Sequence, residues 1–260
     1  MSEVELEIDG AIATLRLNRP AKRNALTDDM VDLLLARLDE VAASGALVLI
    51  VTGAGRGFCA GFDLSLAGQA AGDTGFWVAR QERYASLVTR LRAIPQPVIA
   101  AVNGAAAGAG LGLALACDTR IGSNECRFSS AFVRVGMSSC DIGVSYLLPR
   151  AIGTTRAFEM MLTGRMVEAA EAERIGLVLR LTPPETLMDA ARELAHGIAA
   201  NGRLGIWLTR RGMWANLEAA SLSAAIELEN RTQILMRGTG SLASRAAEGG
   251  FLPADQPAPR

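Results

Sequence analysis

Histidine is nearly absent from this chain. The only one, His196, falls in a late amphipathic stretch (Leu194 to Ala199) away from every motif, so the commonest acid–base residue is not a candidate here. Cysteines are few. Cys59, Cys117, Cys126 and Cys140 show no C-x-x-C spacing, which argues against a zinc site and against a disulfide scaffold. Excess charge is missing too. With 26 Lys and Arg against 27 Asp and Glu, the net charge of −1 supplies no field that would favour nucleic acid or a membrane surface. The start, Met1-Ser2-Glu3-Val4-Glu5, is acidic and does not read as a signal peptide, so a cytoplasmic protein with free thiols is expected. The longest hydrophobic run, Pro97 to Asp118, approaches the ~20 residues that span a bilayer. Asn103-Gly104 interrupts it, however, and it is rich in Ala and Gly rather than Leu, so a membrane helix is set aside. What remains, 260 residues of which half are hydrophobic and a fifth charged, is ordinary for a globular chain of one large domain or a domain plus an appendage.

That same run is the most informative stretch present. Val98-Ile99-Ala100-Ala101-Val102 reads as a buried strand and Asn103-Gly104 as a turn. The run Ala105 to Gly112 then opens a helix whose first N–H groups are left unpaired. Small residues let a ligand approach those donors, and a polarised carbonyl oxygen suits them. Close packing between helices is the plainer use of the same residues. Gly108-x-Gly110-x-Gly112 is not the dinucleotide fingerprint, because its third glycine comes one position early.

Elsewhere, alternation around Asp9-Gly10 predicts a hairpin over Val4 to Leu17. Thr27 is placed to cap a helix carrying Met30, Val31, Leu34, Leu35, Leu38 and Val41 on one side. Ala46 to Thr52 predicts a strand, Phe76 to Leu91 a helix, and Arg120-Ile121 and Arg127-Phe128 short strands. Ile142 to Ala151 and Thr154 to Leu162 predict helices on either side of Gly153. A helix is expected from Val167 to Gly176 and a strand over Leu177 to Leu181, with helices only from Pro184 onward. The proline-rich end, Leu252 to Arg260, reads as disordered. Strands alternating with helices, then helices alone, predict an α/β core with a helical C-terminal module.

Four ordered segments resemble the crotonase superfamily, the enoyl-CoA hydratase/isomerase family. They are Leu17-Asn18-Arg19-Pro20-Ala21-Lys22-Arg23-Asn24-Ala25-Leu26, then Gly53 to Leu64, then Pro97 to Asp118, then Tyr146 to Arg150 with Leu162-Thr163-Gly164-Arg165. The resemblance spans about residues 3 to 235. It implies a core of repeated ββα units wound as a spiral over residues 1–199, and a helical trimerisation region over 200–260 ending in the disordered tail. It also implies an acyl-CoA thioester substrate and a homotrimer or dimer of trimers. No cofactor is expected beyond the CoA of the substrate, and no metal. In such enzymes two backbone N–H groups stabilise a thioester enolate. By motif position these are Phe62 and Ala109, the latter where the family usually has glycine. Ala60, Asp63 and Leu64 resemble the loop that holds adenine through its backbone, and Lys22, Arg23 and Ala25 fall in the segment that contacts CoA.

The chain departs from the hydratase pattern at two places. The glutamates typical of hydratases are replaced by Gly112 and Phe132, neither of which can move a proton. One carboxylate, Asp141, lies eight residues before Pro149, a spacing that resembles the catalytic aspartate of isomerases and dehalogenases in the superfamily. The alternative use of Asp141 is to cap the helix that follows. Hydration divides its work between two acids, each worth roughly 10²–10⁴-fold, whereas moving a double bond needs only one. The resemblance therefore implies double-bond isomerisation of an enoyl-CoA through Asp141. A hydratase and a non-catalytic acyl-CoA binder are the alternatives. Dehalogenation would need an aromatic pocket, and aromatics make up 5% of the chain. Glu82 is the next acid, Cys140 has no visible activating partner, and Asp118 reads as structural.

Overall fold

The computed structural model describes residues 2–66 and 72–240, together with Leu242 and Ala246. The chain divides into two compact units, Met1–Ala200 and Asn201–Arg260. In the first, β1 (Val4–Asp9) and β2 (Ile12–Leu17) form the expected hairpin. Thr27 Oγ1 accepts from Met30 N and caps α1 (Asp28–Ala43), with Met30, Val31, Leu34, Leu38 and Val41 buried. The chain then steps back and forth between two sheets. β3 (Val48–Gly53), β5 (Val98–Val102) and β7 (Thr119–Ser123) add in parallel to β2 in one sheet, while β4 (Gly57–Cys59), β6 (Ala105–Ala107) and β8 (Arg127–Ser129) pair in parallel in the other. Two short strands complete them: β9 (Val167–Glu168) pairs with β8, and β10 (Leu181–Thr182) with β7. This alternation, closed by α2 (Thr74–Ala93) and α3 (Ala109–Ala116), is the ββα spiral.

The central strands of the larger sheet, β2, β3 and β5, are buried on both faces, as parallel strands require. Ile12, Val48, Ile50, Ile99, Ala101 and Ile121 pack against Leu187, Ala191 and Ala195, spaced four apart on α7 (Leu187–Ala199). Intervening Leu49, Val98, Ala100 and Val102 are as fully buried on the other side. Asp118 behaves structurally: its carboxylate accepts from Val98 N at 2.6 Å and fixes the start of β5. Between β8 and β9 in the chain, α4 (Val144–Ile152) and α5 (Thr154–Thr163) meet at Gly153, and α6 (Ala169–Arg174) follows β9. The second unit holds α8 (Arg203–Asn216) and α9 (Leu222–Gly238), and α9 leaves Leu222, Ile226, Ile234 and Leu235 exposed. The segment Leu252 to Arg260 lies outside the described residues.

Four local expectations change, the first being the helix expected from Val167, which starts at Ala169 because Val167–Glu168 pairs with β8 as a strand. Ala105–Ala107 is a strand, not the mouth of a helix, because its backbone is taken up by β4 and β8. The helix expected from Ile142 begins two residues later. Ile142 (φ +31°) and Gly143 (φ +84°) are both left-handed, which a helix cannot contain. The strand expected over Leu177 to Leu181 shrinks to Leu181–Thr182, because the Leu177 and Val178 N–H groups return to Ala172 O and close α6.

Candidate active site

Two segments that run out of the smaller sheet side by side form one end of a cavity of about 240 Å³. One is Ala60-Gly61-Phe62 beyond β4, and the other is Gly108-Ala109 beyond β6. Gly61 has φ +90° and Gly108 has φ +53° with ψ −120°, backbone states that side chains resist. Contact is so close that a Cβ on Gly61 would lie 2.7 Å from Ala107 O and 3.2 Å from Ala109 N.

Each segment offers one unpaired donor. Leu26 bridges Phe62 in parallel: its N–H donates to Gly61 O at 2.7 Å, and its carbonyl accepts from Asp63 N at 2.9 Å. In that pattern the neighbours of Phe62 make both bonds, so the Phe62 N–H turns to the other side of the strand. Ala109 is the first residue of α3, where no intrahelical acceptor exists. Both residues line the cavity, and neither N–H has an acceptor among the described residues.

The walls are mostly apolar. Phe132, Val135, Met137 and Ile142 lie on one side. Helix α2 presents Trp77, Arg80, Gln81 and Tyr84, a stripe at i, i+3, i+4 and i+7. Arg80 does not stand free in the cavity. Its guanidinium stacks 4.6 Å from the centre of the Phe62 ring, and its Nε donates to Asp28 Oδ1 at 3.0 Å. Tyr84 Oη donates to the same oxygen at 2.9 Å, and its ring meets Phe62 edge-on at 5.7 Å. Burial pushes the Asp28 carboxyl up, but the hydrogen bonds from Tyr84 and Arg80 and the Arg80 charge outweigh it and hold the group below the usual carboxylate range. Burial, then the bond to Asp28, pushes the Tyr84 phenol well above its ordinary value, so it stays a neutral donor. Four aromatic residues (Phe62, Trp77, Tyr84, Phe132) thus line a cavity that the overall aromatic content did not suggest.

Asp141 is the one carboxylate among the described residues lining the cavity. Its Oδ1 accepts from Ile142 N at 2.7 Å and from the Gln81 side-chain amide. Its Oδ2 accepts no hydrogen bond among the described residues. The helix behind it is capped by Gly143 with no side-chain bond, so the carboxylate is not used as a cap. The two positions of the hydratase glutamates are apolar in space as well as in sequence. A Cβ on Gly112 would lie 2.7 Å from Cδ1 and Cγ1 of Ile142, whose side chain fills that place, and Phe132 is part of the wall.

Of the residues expected to contact CoA, Ala60 and Leu64 line the cavity. Lys22 and Arg23 are exposed on the neighbouring turn, and the Arg23 carbonyl accepts from Ala60 N at 3.0 Å, which joins that turn to the cavity wall. Ala25 is buried, and its carbonyl accepts from Arg19 Nη1. Asp63 is 5% exposed, and its carboxylate is committed to Arg19 and Ser65. The Ser65 hydroxyl, against the opposing push of burial and with help from Arg19, holds it below the usual carboxylate range. Beneath the turn, Asn24 is fully buried and donates to the carbonyls of Ala54, Gly57 and Phe58. Glu82 faces outward from α2 and Cys140 is exposed, and neither lines the cavity. His196 lies in a separate small hollow with Glu7, Asp9 and Arg192. Among the described residues no cluster of potential ligands could hold a metal ion, and no helix is long and apolar enough to cross a membrane.

The two-sheet spiral with its backbone-donor cavity is the crotonase fold, the fold of a class of acyl-CoA enzymes. The sequence matches the enoyl-CoA hydratase/isomerase family over residues 7–241, and the chain belongs to that family. It is 44% identical over 232 residues to a "probable enoyl-CoA hydratase" of Mycobacterium tuberculosis, covering 87% of this chain and 81% of the relative. A "probable enoyl-CoA hydratase/isomerase" from Mycobacterium abscessus superposes with a TM-score of 0.89 at 39% identity over 97% of both chains. A "monofunctional enoyl CoA isomerase" from M. smegmatis is 43% identical, with a TM-score of 0.74 over 86% of this chain and 98% of that one. The names of these relatives divide between hydratase and isomerase.

Proposed function

We propose that the chain isomerises an enoyl-CoA, moving a double bond from the 3- to the 2-position, with Asp141 as the proton shuttle. One observation carries this reading: Asp141 is the only carboxylate among the described cavity-lining residues, while Ile142 and Phe132 occupy the places of the two hydratase glutamates. The thioester oxygen sits between the N–H groups of Phe62 and Ala109. Asp141 Oδ2 takes a proton from C2, and the electrons of that C–H bond pass into the C1–C2 bond and onto the thioester oxygen. The two backbone donors meet the charge where it develops. The protonated Asp141 then returns its proton to C4. The C2–C3 double bond forms as the C3–C4 double bond is lost, and no water is consumed. Lys22 and Arg23, exposed beside Ala60, suit the phosphates of CoA. The apolar residues that α9 leaves exposed support self-association as a homotrimer or a dimer of trimers, which sedimentation would read as a mass.

A hydratase reading, favoured by the name of the M. tuberculosis relative, needs a second proton carrier beside the double bond. Tyr84 is the remaining hydroxyl of the described lining, and its proton is engaged with Asp28. The deciding experiment offers 3-hexenoyl-CoA and 2-hexenoyl-CoA separately in heavy water and identifies products by mass and NMR. Isomerisation gives a shifted double bond with deuterium at C2 or C4 and no 3-hydroxy product, and Asp141→Asn lowers the rate by about 10²–10⁴-fold. A 3-hydroxyacyl-CoA product overturns the reading in favour of a hydratase. Tight thioester binding with neither product overturns it in favour of another reaction of the family or a non-catalytic binder.

A further inference from the structure

We infer that Gln81 is a positioning residue for Asp141, an inference that rests on the shuttle role proposed above. The two residues lie 60 positions apart, on α2 and on the loop before α4, and both line the cavity. The Gln81 amide donates to Asp141 Oδ1 from one side, and Ile142 N donates to the same oxygen at 2.7 Å from the other. The Asp141 carbonyl accepts from Val144 N at 2.8 Å, which fixes the backbone beneath. One oxygen is therefore held twice and the second is left for the substrate.

A shuttle that must serve two carbons two bonds apart depends on that restraint. A freely rotating carboxylate spends most of its time aimed at neither carbon, and misplacement by about 1 Å can cost 10²-fold. The donor is well matched to the task. An amide orients a carboxylate without setting a full charge beside it. The neighbouring cation, Arg80, is engaged with Asp28 and with the Phe62 ring. Gln81 thus holds the carboxylate, and α2 contributes to the reaction through a residue that itself moves no proton.

The test compares Gln81→Glu, Gln81→Met and Gln81→Ala with the unaltered protein on 3-hexenoyl-CoA, and runs Asp141→Asn alongside. Positioning requires kcat to fall about 10-fold or more in the Met and Ala variants and furthest in Gln81→Glu, where carboxylate would face carboxylate. KM stays within about twofold and Tm is unchanged in all three. A merely structural role gives a different order. Glu matches Gln in length and helix propensity, so Gln81→Glu would then keep the full kcat. Full kcat in Gln81→Glu, or losses confined to KM, overturns the inference. If Asp141→Asn abolishes isomerisation while Gln81→Glu retains it, positioning alone falls. If Asp141→Asn isomerises at the normal rate, the shuttle reading falls and takes the positioning role with it.

Discussion

Backbone donors cannot be deleted by changing their own side chains, but Gly61→Ala reaches them from the side. The added methyl would lie 2.7 Å from Ala107 O and 3.2 Å from Ala109 N, and both neighbours are backbone, so no side chain can swing away to make room. At φ +90° the new residue is also strained by about 1–3 kcal/mol. Relief comes from pushing Gly108-Ala109 away from Phe62, which separates the two N–H groups proposed to meet the thioester oxygen. Losing one such donor costs roughly 3 kcal/mol, or about 10²-fold in kcat. The control is Gly10→Ala in the β1–β2 turn, where φ is +55° and nothing lies within 4 Å of the added Cβ. Both variants carry a backbone penalty, read as a fall in Tm of ~2–4 °C per kcal/mol in a chain of this size. Only Gly61→Ala is expected to lose kcat on 3-hexenoyl-CoA. If Gly61→Ala loses Tm like the control yet keeps kcat within about threefold of the unaltered protein, the Gly61–Ala109 contact does not set the donors, and the reasoning fails.

Two more outcomes follow from contacts around the cavity. Gly112→Ala is expected to destabilise by ~1–3 kcal/mol through overpacking against Ile142, and Ile142→Ala, by removing Cδ1 and Cγ1, to make it nearly neutral. Additive denaturation free energies in that double-mutant cycle would mean Ile142 does not occupy the space. Asp63 has a carboxyl depressed in the folded state, so its contribution is present at neutral pH and is lost as the pH falls through the folded value, below the ordinary carboxylate range. Asp63→Asn is therefore expected to cost ~1–3 kcal/mol at pH 7 and progressively less below about pH 4, and a difference constant from pH 7 to 3 would refute the assignment.

What the sequence disclosed and what it hid separate along physical lines. The hairpin, the α1 cap and the β5 strand rest on periodicity and on one capping side chain, which are local, and the structure reproduces them. The apolar character of positions 112 and 132 was equally plain, but not that Ile142 fills the first of them. That contact depends on the left-handed turn at Ile142-Gly143, and no residue-type preference announces φ > 0 at isoleucine. Of the short strands of the smaller sheet, β8 was expected at Arg127-Phe128, but β9 is only two residues long, too few to show a period, and Ala105–Ala107 was hidden inside a small-residue run. Gln81 escaped notice because α2 turns a mixed stripe of Trp77, Arg80, Gln81 and Tyr84 to the cavity. Hydrophobic spacing identifies the core face of a helix and is blind to a second, half-polar face.

The backbone origin of the two donors shifts where this protein is fragile. The N–H groups proposed to meet the thioester oxygen belong to Phe62 and Ala109, yet almost any residue supplies the same atom, and alanine already stands where the family usually has glycine. Gly61 and Gly108, the residues just before them, carry the left-handed backbone angles that set the direction of those atoms. Gly61 and Gly108 are therefore expected to tolerate substitution poorly although neither supplies a proposed donor. A glycine that carries no donor of its own can thus matter more to the shape of this site than the identity of the side chain beside it.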